Sequence, residues 1–209
     1  MWRRSLIAFC LLAGMIGVFS SAQPDQPSTS PVRKEANTVL TLINNAVKMA
    51  VLAANGELFV PSGAVSLPNR QAEAQEILNF LVGKNSSDFK TEYKNQAKPP
   101  LPIATSWDGV GIQEHAERLS SELESAISRG EIPVGSAKLL RTSVLEIMAL
   151  LKKSVELAKD AIAAPPQNER QAKEILVDLK LDLTAARGSR EDPLLEGGMR
   201  SVMGNLPTR

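Results

Sequence analysis

His115 is the only histidine in the chain, and imidazole is the side chain best suited to move protons or hold a transition metal near neutral pH. Its own helix offers it no help. Gly111 lies four residues before it, and Arg118 and Leu119 lie three and four residues after it. None of these is a ligand. Glu114 is adjacent in sequence but projects from a different helical face. A metal or catalytic site needs several convergent groups, so the spacing points to a surface histidine.

Glu114, Glu117, Glu122 and Glu124 form the densest run of carboxylates. Paired carboxylates can act as acid and base or bind a metal. Here they fall off the apolar stripe, among Arg118 and Arg129, as a solvated polar face does. The chain has no Glu-x-x-His pair, no Gly-x-Ser-x-Gly and no phosphate-cradling Gly-x-x-x-x-Gly-Lys string. No enzyme class is therefore favoured, and no cofactor or metal is implied.

Two local strings stand out. Asn85-Ser86-Ser87 is an N-glycosylation sequon on a turn-like segment, of consequence only in a eukaryotic host. Trp107-Asp108-Gly109 begins the approach to the carboxylate-rich helix. The plain reading is that Trp107 plugs the end of a helical bundle. The sharper one groups it with Phe59, Phe89 and Tyr93. Beyond residue 22 the aromatics all fall between 59 and 107, outside the long aliphatic helices. Together they could line a mouth for an apolar ligand or form a partner contact.

The elements that would hold these residues are helices. Ser30-Pro31 reads as a helix start, and Val39, Leu42, Ile43, Ala46, Val47, Ala50 and Ala53 recur at helical spacing up to Gly56. A second helix is expected from Asn69 to Gly83, and a short one from Ser86 or Ser87 through Tyr93. A third runs from about Gly111 to Arg129. A fourth spans Val134 to Ala164, with a narrow seam of Leu140, Val144, Ile147, Met148, Leu151, Val155, Ala158 and Ile162. A fifth runs from about Asn168 to Arg187. No stretch alternates with period two between hairpin turns. The expected fold is an all-α, antiparallel helical bundle of four to five helices over residues 31–188. Residues 189–209, rich in Gly and charge, read as a disordered tail.

The first and fourth helices match at an offset of 105, Val39-Leu40 with Val144-Leu145 and Leu52-Ala53 with Leu157-Ala158. Arg70-Gln71-Ala72 echoes Arg170-Gln171-Ala172. Two duplicated helical hairpins would explain this. So would the small alphabet of amphipathic helices.

At the N-terminus, Trp2-Arg3-Arg4 precedes an apolar run from Leu6 to Phe19, and Ser20-Ser21-Ala22 follows. Basic start, apolar core and small residues have the form of a secretory signal peptide over 1–22, and Gln23 to Ser30 reads as a flexible leader. The expected protein is secreted, extracellular or periplasmic according to host. Cys10, the only cysteine, lies within the leader, so the mature chain would hold no disulfide. With 24 Lys and Arg against 23 Asp and Glu, there is no global attraction for nucleic acid. No second apolar stretch is expected to span a membrane. The reading that remains is a non-enzymatic helical-bundle protein that binds a protein partner, with self-association open to it. The alternative is a carrier or surface-active binder of apolar ligands such as lipids.

Overall fold

The computed structural model of the chain describes residues 30–56, 66–90, 107–165, 168–188 and 197–207. Within them are α1 (Pro31–Asn55), α2 (Leu67–Val82), α3 (Ile112–Ser128), α4 (Val134–Ile162), α5 (Glu169–Arg187) and α6 (Gly198–Asn205). The fold is all-α. Among the described residues the only β pairing is a single antiparallel bridge between Gly83 and Val110.

Four helices form the frame. α1 packs on α3 and α5, and α4 packs on the same two, which leaves α1 and α4 on opposite corners. Glu124 on α3 pairs with Arg141 on α4. Lys153 on α4 pairs with Asp182 on α5. These registers make α3–α4 and α4–α5 antiparallel, as their short connections require. Both corner helices carry fully buried alanines, Ala36, Ala46, Ala50 and Ala53 on α1 and Ala158 and Ala161 on α4. Small side chains let neighbouring helices approach, while Ile43, Leu119, Leu151, Leu176 and Leu179 fill the common core. Burying each of these large side chains contributes roughly 1.5–3 kcal/mol.

α1 begins and ends as its sequence dictates. Pro31 stands at the first helical position, and Gly56 closes the helix in the left-handed region. The helix is long and apolar enough, by length and composition, to cross a membrane, and half of that apolar window is buried inside the bundle. This corrects the expectation that no second stretch reaches spanning length. The predicted leader, residues 1–22, and residues 23–29 lie outside the described residues.

α2 differs from the frame helices. It touches all four of them and has buried residues on every face, Arg70, Glu73, Gln75 and Asn79 among them. Its start also differs from expectation: its cap is Ser66, three residues before the predicted cap at Asn69, and Pro68 lies in its first turn. Arg70 explains how a charge is tolerated there. Its guanidinium donates to the carbonyls of Ala53 and Ala54 at the end of α1, at 3.0 and 3.4 Å. Its Nε meets Glu169 of α5 at 2.9 Å. Beside it, the Gln71 amide donates to the carbonyls of Ile162 and Ala164 at the end of α4. One dipeptide thus supplies side-chain donors to the last carbonyls of two helices.

The matching Arg170-Gln171 string holds a different place. Arg170 is exposed and pairs with Glu174 one turn along its own helix. The hairpins differ as well: α4 and α5 pack along their lengths, while α1 and α2 share a small contact.

The region after residue 188 corrects the expected tail. Residues 189–196 lie outside the described residues, but α6 is ordered against α1, α4 and α5, with Met199, Val202 and Leu206 fully buried. Arg33 holds it to α1, donating to the carbonyls of Leu206 and Pro207 at 3.1 and 2.8 Å. The expected short helix from Ser86 is also corrected. Residues 84–88 are turns, because α2 draws the chain down. Gln75 donates to the Asp88 carbonyl, and Asn79 both donates to and accepts from the Lys90 backbone.

Candidate functional site

His115 is 4 % exposed and stands between two acids. This corrects the surface position expected from its helix. Nδ1 lies 2.6 Å from Glu35 Oε1 on α1, and Nε2 lies 3.2 Å from Asp108 Oδ2 on the segment leading into α3. A neutral imidazole has one N–H and serves one of these carboxylates, whereas the imidazolium serves both. Asp108 is itself set by the Val110 N–H, which donates to its Oδ1 at 2.9 Å. His115 and Asp108 sit at the edge of a groove of about 570 Å³ walled on α1 by Lys34, Asn37, Thr38, Thr41, Leu42 and Asn45. With both ring nitrogens facing protein carboxylates, the arrangement fastens α1 to the start of α3. Among the described residues, no group of three or more His, Cys, Asp or Glu is placed to hold a metal ion.

The approach of α2 to α3 depends on two glycines. Gly83 ends α2 at φ 79°, and Lys84 N–H donates to the Gly109 carbonyl at 2.9 Å. A Cβ on Gly111 would lie 2.6 Å from the Val82 carbonyl oxygen and 2.7 Å from that of Leu81. Both neighbours are backbone and cannot move aside. The crossing places Trp107 over the end of α2.

Trp107 is half-buried. Its indole N–H donates to the Val110 carbonyl at 2.7 Å. Its ring lies 5.5 Å from that of Phe80 and 6.2 Å from that of Phe89, with Lys84 Nζ 5.4 Å from its centroid. Of the four aromatics grouped from sequence, the structure therefore joins Phe89 and Trp107 and adds Phe80. Phe59 and Tyr93 lie outside the described residues. This cluster closes on itself and tops the end of α2, the plug-like place expected for Trp107.

A second groove lies between α3 and α4. It has a volume of about 580 Å³, with Val82, Ala116, Met148, Ala149, Leu151 and Val155 among its lining. Leu145, 61 % exposed, lies one helical turn before Met148 and Ala149 and extends the apolar strip. Gln113, Glu117, Lys152, Glu156 and Lys159 edge the groove. Asp88, from the turn after α2, closes one end by pairing with Lys159 at 2.9 Å. That hydrogen bond pushes the Lys159 ammonium above the usual lysine range. Sequence reasoning missed this groove because its residues come from four segments. The signal available was Leu145, apolar but off the α4 seam, whereas Met148 reads from sequence as part of that seam.

Asn85 is exposed in the turn between Gly83 and Asp88. Compared with known protein families, with curated proteins and with solved structures, the chain matches none.

Proposed function

We propose that the protein is an exported, non-enzymatic interaction module whose α3–α4 groove receives an apolar-faced helix of a protein partner. The observation that carries this reading is the groove itself, an apolar floor bounded by charges of both signs on the longest helix. A helix presenting residues at i, i+4 and i+7 would lay them along Leu145, Met148, Ala149 and Val155. The mixed rim of Lys152, Glu117 and Glu156 would fix its orientation more than its affinity. Export rests on the leader-like residues 1–22.

The groove favours this reading over a carrier of apolar ligands. The groove is open and charge-edged, while the aromatic side chains of Phe80, Phe89 and Trp107 contact one another.

The test places a photo-crosslinking residue at Met148 of the full chain, produced in its own host, with the same residue at exposed Leu181 as control. A discrete protein adduct from Met148, absent from Leu181 and lost on Val155→Asp, supports the reading. Equal labelling at both positions overturns it. Lipid retained by the purified protein in native mass spectrometry, with no adduct, would establish the carrier instead.

A further inference from the structure

We infer that Asn85 is an N-linked glycan acceptor, with the glycan standing at the end of the α3–α4 groove. Asn85-Ser86-Ser87 is the only Asn-x-Ser/Thr string in the chain with a residue other than proline in the middle, so the inference concerns one position. The structure adds three observations to the motif.

The first is position. Asn85 and Ser87 are both exposed, whereas α2 immediately before them is buried on every face. A branched sugar here displaces only water. A few residues earlier it would prevent closure of the core.

The second is the backbone. The turn is anchored on both sides. Lys84 N–H donates to the Gly109 carbonyl, Ser86 N–H to the Gly83 carbonyl and Phe89 N–H to the Ser86 carbonyl. Asn79 holds Lys90. Asn85 projects from a fixed protrusion that needs nothing from its side chain.

The third is the division of labour between the two serines. Ser86 Oγ accepts from Asp88 N–H at 3.2 Å and serves the turn. Ser87, the hydroxyl that the sequon requires, stays at the surface.

The transfer uses a lipid-pyrophosphate-linked oligosaccharide as donor. The Asn85 side-chain nitrogen forms a bond to the anomeric carbon, the bond from that carbon to the pyrophosphate oxygen breaks, and one amide proton passes to a base. The lipid pyrophosphate leaves, and nothing is oxidised or reduced. Ser86 and Asp88 line the groove, so the sugar occupies the end that the Asp88–Lys159 pair closes. The inference does not depend on the groove's having a protein partner.

The experiment expresses the full chain, with its own leader, in a eukaryotic secretory host and measures intact mass before and after treatment with peptide N-glycosidase. One glycan is expected on the wild type, with Asn85 converted to Asp on its removal. Asn85→Gln and Ser87→Ala should each abolish the shift, and Ser87→Thr should keep it. Unmodified wild-type chain in the medium overturns the inference, as does a shift that persists in Asn85→Gln. If the leader does not direct entry, the same chain behind a proven signal sequence is measured by the same criteria, which separates failure of export from failure of the acceptor.

Discussion

His115 on α3 and Glu35 on α1 meet at 2.6 Å across 80 residues of sequence, and the ring is buried where they meet. His115→Phe keeps most of the volume but leaves the Glu35 carboxylate without its donor. A loss of about 1–3 kcal/mol in urea unfolding is expected, the usual cost of stranding a partly buried polar partner. Asp108→Asn should cost much less, because Asp108 is half-exposed and water can replace its partner. Equal losses would show that the clasp does not act through Glu35.

The two Arg-Gln-Ala strings provide a matched comparison. Glu169→Gln removes the charge opposite the buried Arg70, and since Glu169 itself is 44 % exposed it is expected to destabilise by about 1–2 kcal/mol. Glu174→Gln, which frees the exposed Arg170, should change stability by less than about 0.5 kcal/mol. Chemical denaturation of the two variants side by side distinguishes a structural ion pair from a surface one.

Gly111→Ala should be among the most damaging small substitutions. Its φ of −73° suits any residue, so the penalty is purely the clash with the Leu81 and Val82 backbone. Overpacking of this kind costs about 3 kcal/mol or more. Gly135→Ala, in the first turn of α4 with open space around it, should instead stabilise by roughly 0.5–1 kcal/mol. Opposite signs in thermal melts are the expected outcome.

The bidentate pair of Arg141 and Glu124, at 2.6 Å for each contact, holds the Glu124 carboxyl below the usual glutamate range. A carboxyl lowered in the folded state contributes stability above its unfolded value and loses it as pH falls through the folded value. Wild-type Tm should therefore fall more steeply under acid than that of Glu124→Gln. Lys159, raised by Asp88, has the opposite sign. Its contribution is complete below the ordinary lysine value and is lost as pH rises through the folded value. Hydrogen exchange in residues 84–90 should accelerate at alkaline pH, and the extra acceleration should vanish in Asp88→Asn.

The frame helices were legible because their apolar spacing and their stops coincide. Ser30-Pro31 and Gly56 bracket α1, and Asn168 caps α5 by accepting from Gln171 N–H. α2 was harder to read, since a helix sheathed on all sides has no polar face to give it period, and Arg70 and Asn79 look like surface residues until their backbone partners are known. α6 hid for a different reason. Met199, Val202 and Leu206 do carry helical spacing, but eight residues bounded by glycine resemble a tail. His115 was misread because helical neighbours were the only partners its sequence offered. Its actual partners come from another helix and from two turns earlier in the chain, a juxtaposition that only the folding of α1 onto α3 creates.

Arg33's grip on the carbonyls of Leu206 and Pro207 makes the described chain, from residue 30 to residue 207, nearly a closed circle. Its two ends lie within one side chain of each other, so the order in which the helices are strung is separable from the way they pack. A permutant that joins these ends through a short flexible linker and opens between α4 and α5 should recover the same bundle. Its helices would then be read from the ribosome starting with α5.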